Sequence, residues 1–234
     1  MTLEICVDSL ALAQAAVRGG ADRIELCGPL EDGGVTPAWD LTVAVRRAVN
    51  VPIAMLVRQR TGPFTVSEVE FEGMRQEVLF ARRSGVDFVV LGILHPDRTV
   101  DVERTRQLVE LAYPMGVTFH RAFDSTPDLD MALRAVLGTG ASRLLTSGGS
   151  DSAVSGAPIV SRLQWEAGEA LSLVVCGGIT PENIGAVLEQ AGVREVHAAL
   201  RQIAAIETES FGPFVEAVSE LKRVMNSEHP RMDC

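Results

Sequence analysis

Short apolar runs alternate with segments of helical periodicity along most of the chain. In the segment 101–112, for example, Val102, Leu108 and Ala112 recur at the spacing of one helix face. The apolar runs predict eight strands at intervals of roughly 27 residues, close to the length that a strand, its crossover helix and their loops need. The predicted strands are 3–7, 23–27, 53–58, 88–91, 117–120, 143–146, 171–176 and 195–198. This alternation predicts repeated βα units.

A glycine stands just before five of these strands, which indicates one repeated joint: Gly20, Gly85, Gly116, Gly140 and Gly192. Glycine there can adopt the left-handed conformation that ends a helix. No linker rich in proline, serine or glycine interrupts the series. Eight units therefore predict a single α/β domain, a closed (β/α)8 TIM-type barrel over residues 1–226, followed by a flexible C-terminal tail at 227–234. An open doubly wound sheet is the alternative.

Alternation within the strands indicates which side chains point into the barrel. Successive side chains of a strand point to opposite faces, and the face under the helices should be apolar. The inward set is then Glu4, Cys6, Asp8, Arg23, Glu25, Cys27, Arg58, His120, Glu195 and His197. We expect Glu4, Arg23 and Glu195 to pair inside the barrel, since buried charges need partners. The others lie nearer the carboxyl ends of the strands, where barrels of this type carry their sites.

The charge balance excludes several classes of partner and chemistry. The 234 residues include 31 acidic and 21 basic side chains, a net charge of −10, which argues against nucleic acid binding. Lys222 is the only lysine, which argues against Schiff-base catalysis. The chain has four scattered cysteines, no basic leader segment and no apolar run near the roughly 20 residues that span a bilayer. We expect a soluble, cytoplasmic, reduced protein with no membrane partner.

Arginines and glycine-rich turns near the strand ends favour a small anionic substrate. The planar guanidinium of arginine suits carboxylates and phosphates, and exposed N–H groups at turns and helix starts also bind anions. The candidate anion-binding residues are Arg58, Arg60, Arg121, Ser147, Gly148 and Gly178. Ordinary tight turns explain the glycines equally well. If the protein is an enzyme, Glu25 and His120 are the candidate acid–base pair, because burial can bring either pKa near neutrality. Whether it is an enzyme stays open.

Several blocks of the sequence resemble the CutC family, whose members are named copper homeostasis proteins. These blocks are GGADRIELC (19–27), EDGGVTP (31–37), VTFHRAFD (117–124), LTSGG (145–149), GGIT (177–180) and EVH (195–197). The resemblance implies a TIM-type barrel, a cytoplasmic protein, and a homo-oligomer such as a dimer or tetramer. It also implies copper binding, with Cys6 and Cys27 as the ligands.

The residues give independent support for this pair of ligands. Cys6 and Cys27 lie near the ends of adjacent predicted strands and point inward. Cu(I) is a soft ion that takes thiolate ligands, and we expect two facing thiols to hold it in a nearly linear arrangement. Free cysteine is also among the most buried residue types, so simple packing is the alternative. Cys176, at the end of the seventh strand, is a further candidate to approach the pair.

The segment 58–68, RQRTGPFTVSE, departs from the pattern usual in the family. Both arginines and Phe64 are kept, while Gln59, Pro63 and Val66 replace the proline, aspartate and tyrosine that the family usually has. Ala198 stands where the family usually has serine. We expect the barrel to persist and leave open how the rim chemistry changes.

Overall fold

Eight short parallel strands close into a barrel in the order β1 to β8, and β8 pairs with β1. The computed structural model describes residues 1–29, 33–205 and 211–228. The strands are β1 (Thr2–Val7), β2 (Arg23–Leu26), β3 (Ile53–Leu56), β4 (Phe88–Leu91), β5 (Gly116–Phe119), β6 (Arg143–Thr146), β7 (Ser172–Val175) and β8 (Glu195–Ala198). All eight were predicted, to within two residues at each end. Closure confirms the (β/α)8 barrel and excludes the open doubly wound sheet.

Helices follow the strands and pack on the outside of the barrel. They are α1 (Leu10–Arg18), α2 (Trp39–Ala48), α3 (Glu68–Ser84), α4 (Val102–Ala112), a 3-10 helix (Arg121–Ser125), α5 (Leu129–Thr139), α6 (Ala153–Ala167), α7 (Ile184–Ala191), α8 (Arg201–Ala204) and α9 (Gly212–Glu228). Ser227 and Glu228 thus continue α9 instead of starting the predicted tail, and residues 229–234 lie outside the described part. Among the helices described, none is long and apolar enough to cross a membrane.

Four of the five glycine joints have the predicted left-handed backbone, at Gly20, Gly85, Gly140 and Gly192. The exception is Gly116, which is the first residue of β5 and has no positive φ. A Cβ at Gly116 would lie 2.3 Å from the Phe88 ring on the neighbouring strand. At this joint, glycine is required for close packing and not for its backbone conformation.

The apolar side chains form separate clusters on the two faces of the sheet. Leu3, Ile5 and Val7 belong to the large core between strands and helices. A small second cluster inside the barrel contains Cys6, Cys27, Ala54, Leu56 and Val90. This separation confirms the predicted alternation, which places the polar and cysteine side chains of β1 and β2 in the barrel interior.

A charged network fills the barrel interior near the start of the strands. Arg23 bonds Glu4 through Nε and Glu195 through Nη2, as predicted for these three residues. Arg143 adds a second guanidinium, which lies 3.7 Å above the Phe88 ring centroid and 3.5 Å from a Glu195 oxygen. Buried charges are tolerated only when they are paired in this way. The network therefore closes this end of the barrel interior, and the site lies at the other end.

Candidate functional site

A cavity of about 540 Å³ lies at the carboxyl ends of the strands. All eight strands, or the residues directly after them, contribute to its wall, and α8 adds further residues. The predicted rim residues that line it are Cys6, Glu25, Cys27, Arg58, His120 and His197, whereas Asp8 does not. The volume falls in the range of roughly 300–1,000 Å³ typical of small-molecule sites. The cavity therefore has room for more than a single metal ion.

Cys6 and Cys27 bring two thiols together on one side of this cavity. Cys6 lies in β1, and Cys27 directly follows β2, which pairs with β1. Their sulfur atoms are 3.5 Å apart, and both side chains are buried. The Cys27 thiol donates to the Val7 carbonyl at 3.4 Å. The structure thus places the two predicted metal ligands in contact.

Glu25 and His197 lie beside Cys6 and add oxygen and nitrogen donors to the thiols. The strand register explains their position, because Cys6 is opposite Glu25 and Glu4 is opposite His197. Ligand atoms of Cys6, Glu25 and His197 all lie within 4.8 Å of one another. The Cys6 thiol donates to Glu25 Oε1 at 3.6 Å, while Glu25 Oε2 is buried and has no hydrogen-bond partner among the described residues. This oxygen lies 3.8 Å from His197 Nδ1 and makes no hydrogen bond within the described part of the chain, so it can accept one from, or coordinate, a ligand.

The environment shifts the pKa values of these groups in different directions. Burial raises the pKa of Glu25, and the nearby charge of Glu4 adds to this effect. Burial by itself would lower the pKa of His197, but the charge of Glu25 and the 2.8 Å bond to Glu4 outweigh it, so the pKa is raised. The hydrogen bond with Cys27 and then burial raise the pKa of Cys6 well above its usual value. Cys6 is therefore a neutral thiol at pH 7, and a metal ion must displace its proton.

The donor set fits a soft metal ion of low coordination number. Thiolate sulfur is the ligand that Cu(I) prefers. The predicted linear arrangement needs about 4.6 Å between the sulfurs, which is twice a metal–thiolate distance of ~2.3 Å. At 3.5 Å, the sulfurs of Cys6 and Cys27 instead subtend about 100° at an ion held at that distance. The thiols as placed suit bent coordination, with His197 or Glu25 beside the pair as a third donor.

Arg58 and Phe64 form a different part of the wall. Arg58 lies two residues after β3, and its Nη1 and Nη2 donate to the carbonyls of Gly34 and Gly62 at 3.1 and 3.0 Å. The guanidinium lies over the Phe64 ring, 4.9 Å from its centroid. Its Nε is buried and lacks a hydrogen-bond partner in the part of the chain that the structure describes. Burial and the charge of Arg60 lower the pKa of Arg58.

His120 directly follows β5 and lies against Phe64, with 5.0 Å between the ring centroids. Its Nδ1 accepts the backbone N–H of Ala122 at 3.3 Å, which assigns the ring proton to Nε2. Burial, and secondly the charge of Arg58, lower the pKa of His120 to about 3. The ring is thus a neutral hydrogen-bond donor at pH 7, not a base poised near neutrality. The structure also does not pair it with Glu25, since no hydrogen bond or ion pair joins them among the described contacts.

A carboxylate from the chain itself fills the glycine-rich turn after β6. Asp124, in the 3-10 helix, accepts the N–H groups of Ser147 and Gly149 at 3.1 and 3.0 Å. The N–H of Gly148 donates to a neighbouring threonine hydroxyl at 2.9 Å. Neither Ser147 nor Gly148 is part of the cavity wall. Their predicted anion site is therefore occupied internally, and the structure does not bring them to the cavity.

Arg121 and Gly178 do line the cavity. Arg121 donates from Nε to Asp124 at 2.9 Å and from Nη2 to the Ser147 hydroxyl at 2.8 Å, which fixes its guanidinium at the edge of the turn. Gly178 has a left-handed backbone and open space where a Cβ would stand. Cys176 is buried on the same wall, but it clusters with residues of β6 and β7 and not with the thiol pair.

Arg60 lies outside the main cavity. Its Nε pairs with Glu70 in α3, and its Nη2 donates to the Thr65 carbonyl at 3.0 Å. It lines a separate small hollow, which also contains three of the departures from the family pattern: Gln59, Pro63 and Val66. Ala198 is the departure that lines the main cavity.

Two features of the site were not predicted. The strand alternation placed His197 inside the barrel, but His197 was not predicted to join Cys6 and Glu25 as a donor set. Asp124 belongs to the block VTFHRAFD, yet it lies more than twenty residues before the turn that it fills. The strand pairing that places Glu4 beside His197 was a usable signal for the first feature. No periodic pattern indicates the second.

Comparison with known proteins relates this chain to one family. The sequence model described as the CutC family matches residues 1–202. A CutC family protein from Chromobacterium violaceum is 45% identical over 199 residues, which cover 85% of this chain and 81% of the relative. A copper homeostasis protein cutC homolog from Homo sapiens is 40% identical over 199 residues, with 85% of this chain and 73% of the relative covered.

Solved structures agree with this comparison. A crystal structure described as the copper homeostasis protein CutC of Streptococcus agalactiae has a TM-score of 0.80 and 26% identity, covering 84% of this chain and 97% of that one. Thiamine phosphate pyrophosphorylase from Pyrococcus furiosus has a TM-score of 0.64 and 18% identity, with 97% and 96% covered. The second similarity shows a shared fold only.

Proposed function

Because this chain belongs to the CutC family of copper homeostasis proteins, we propose that it binds Cu(I) through the thiols of Cys6 and Cys27. One observation supports this most strongly: two buried sulfur atoms face each other at 3.5 Å, with ligand atoms of Glu25 and His197 close to Cys6. Cysteines that serve only as core residues do not need a carboxylate and an imidazole beside them. A soft dithiol with a nitrogen donor beside it is a donor set that favours Cu(I) over harder cations.

Each residue of the group has a distinct task in this proposal. Cys6 and Cys27 bind the ion as thiolates, so both lose their protons on binding. Glu25 accepts a hydrogen bond from the Cys6 thiol at Oε1, and its raised pKa lets it take up that proton when the ion binds, while the Cys27 proton is released to solvent. His197, held by Glu4, supplies a nitrogen donor next to the pair. The apolar cluster around the sulfurs makes this side of the cavity less polar.

We also propose that the protein acts in the cytoplasm as a homo-oligomer, either a dimer or a tetramer. The cysteines Cys6, Cys27 and Cys176 are free thiols, which a reducing compartment maintains. Exposed aromatic side chains, among them Trp39, Tyr113 and Trp165, offer apolar area for subunit contacts. Light scattering should therefore give the mass of two or four chains. A monomeric mass at micromolar concentration would contradict the oligomer.

A competition titration tests the copper site. Reduced, metal-free protein is titrated anaerobically against a chromophoric Cu(I) chelator. We expect one Cu(I) to bind tightly per chain and the double variant Cys6→Ser/Cys27→Ser to lose this binding, because a hydroxyl is a poor ligand for a soft ion. Cys176→Ser is the matched control, since Cys176 is buried on the same cavity wall but lies outside the pair. Weak binding that is equal in wild type and double variant would refute the copper site.

A further inference from the structure

The cavity wall is cationic although the chain as a whole is acidic. Its described lining includes Arg58, Arg121 and Arg201 and one carboxylate, Glu25, while Asp124, just outside the lining, pairs with Arg121. The whole chain carries a net charge of −10. Clefts lined by one sign of charge concentrate ions of the opposite sign. A cavity built to hold only a copper cation would not gain from three guanidinium groups.

The cationic groups and the thiols lie on different parts of the barrel mouth. The thiols and His197 belong to β1, β2 and β8, which are neighbours in the closed sheet. Arg58 follows β3, while His120 and Arg121 follow β5. Leu56 of β3 and Val90 of β4 pack in one cluster with the two cysteines and also line the cavity. The cavity of about 540 Å³ therefore has space for a second ligand beside the copper site.

Several N–H groups in the cationic part have no partner within the described chain. The Nε of Arg58 is buried without a hydrogen-bond partner. His120 is neutral and carries its proton on Nε2, because Nδ1 accepts from the backbone. Arg121 uses Nε and Nη2 internally and has no described contact at Nη1. Arg58, His120 and Arg121 all line the cavity, so an oxyanion placed beside them gains charge-assisted hydrogen bonds from their N–H groups.

We propose that Arg58, His120 and Arg121 bind the anionic group, a carboxylate or a phosphate, of a small organic molecule. The apolar part of that molecule packs against Phe64 and the neighbouring aliphatic side chains of the wall. Such a ligand binds whether or not copper occupies the thiols, because the two sets of residues do not overlap.

Calorimetric titration of copper-free protein tests this site with two probes, butyrate and inorganic phosphate. We expect at least one of them to bind, and the stronger probe identifies the anionic group as carboxylate or phosphate. Arg58→Gln should weaken that binding roughly tenfold or more, since a charge-assisted contact is lost. Arg60→Gln is the matched control, because Arg60 lies two residues away and pairs outside the cavity. Butylammonium, of opposite charge, should not bind.

A second measurement keeps the test valid if Arg58→Gln fails to fold. In unaltered protein, the bound probe should shift the ring ¹H and ¹⁵N resonances of His120 and leave those of the exposed His95 unchanged. Absence of binding by both probes, equal losses in Arg58→Gln and Arg60→Gln, or unchanged His120 resonances would each overturn the proposal. Because all measurements use copper-free protein, failure here is distinct from failure of the copper site.

Discussion

The two histidines of the cavity have opposite electrostatic environments. His120 is buried near Arg58, and its pKa falls to about 3. His197 is also buried, but the carboxylates Glu25 and Glu4 raise its pKa. Near neutral pH, His120 therefore acts as a neutral donor, whereas His197 retains a proton more readily. The two histidines thus differ in protonation because Arg58 lies near His120, whereas Glu25 and Glu4 lie near His197.

The depressed pKa of His120 predicts a loss of stability in acid. Below pH 6.5 the unfolded chain binds a proton at this residue, while the folded protein does so only near pH 3. Since the unfolded state then binds more protons, falling pH favours unfolding, by about 3 kcal/mol between pH 7 and pH 4. Urea unfolding at a series of pH values should show a shallower dependence on pH in His120→Gln than in wild type, while the contributions of other groups, such as Glu4 with its lowered pKa, remain. The exposed control His95→Gln should keep the slope, and equal slopes in all three proteins would contradict the assignment.

The sequence predicted positions at the residue scale better than it predicted contacts. Alternation correctly placed Cys6, Glu25 and His120 inside the barrel, because it depends only on local strand geometry. It did not show that Glu25 lies with His197 and not with His120, because that depends on which strands are neighbours after closure. The 3.5 Å sulfur separation depends on side-chain rotamers, which no sequence pattern carries.

Local sequence signals determine where helices begin and end in this chain. Helix α3 begins with a capping box, in which the Ser67 side chain accepts the Glu70 N–H and the Glu70 carboxylate accepts the Ser67 N–H. The left-handed Gly85 ends the same helix. Glu70 also pairs with Arg60, so the helix start is tied to the loop after β3. Such local signals explain why the strand and helix pattern was predictable.

Removing the cap of α3 should cost stability without changing the fold. Ser67→Ala leaves the Glu70 N–H without its side-chain acceptor and should lower the free energy of unfolding by about 1 kcal/mol. Ser67→Asp restores an acceptor at the same place and should recover most of that loss. Urea denaturation measures both. An unchanged midpoint in Ser67→Ala would contradict the contribution assigned to the cap.

Sequence patterns did not predict that a side chain from one loop would occupy the N–H groups of another. The turn after β6 has the glycines of an anion site, but Asp124 from the preceding βα connection occupies its N–H groups. This contact depends on the packing of two loops against each other. Glycine-rich turns in a sequence therefore indicate available N–H groups, and only the structure shows whether a carboxylate of the same chain has already bound them.

At the scale of the whole molecule, α9 belongs to the hydrophobic core although it follows the last strand. Phe214, Val218, Leu221 and Met225 are almost fully buried, and α9 packs against α1 and α7. A protein that ends at residue 226 should therefore keep the fold and stability of the full chain. One that ends at residue 211 should fail to fold, because it exposes the core that α9 covers. Circular dichroism and thermal unfolding check both; a folded shorter protein would contradict this role.

The two ends of the barrel interior differ in their side chains. A buried ionic network fills the interior near the strand starts, and the thiols and cationic groups share the mouth at the other end. The chain is acidic overall, with a net charge of −10, while three arginines line the cavity. The central claim for this molecule is that its paired thiols bind Cu(I).

X-ray absorption at the copper edge of the Cu(I)-loaded protein tests that claim most directly. Two sulfur ligands should be seen at a thiolate distance of about 2.3 Å, together with one nitrogen or oxygen ligand, as bent coordination by Cys6, Cys27 and a third donor requires. A spectrum with only nitrogen and oxygen ligands would contradict binding by the thiol pair.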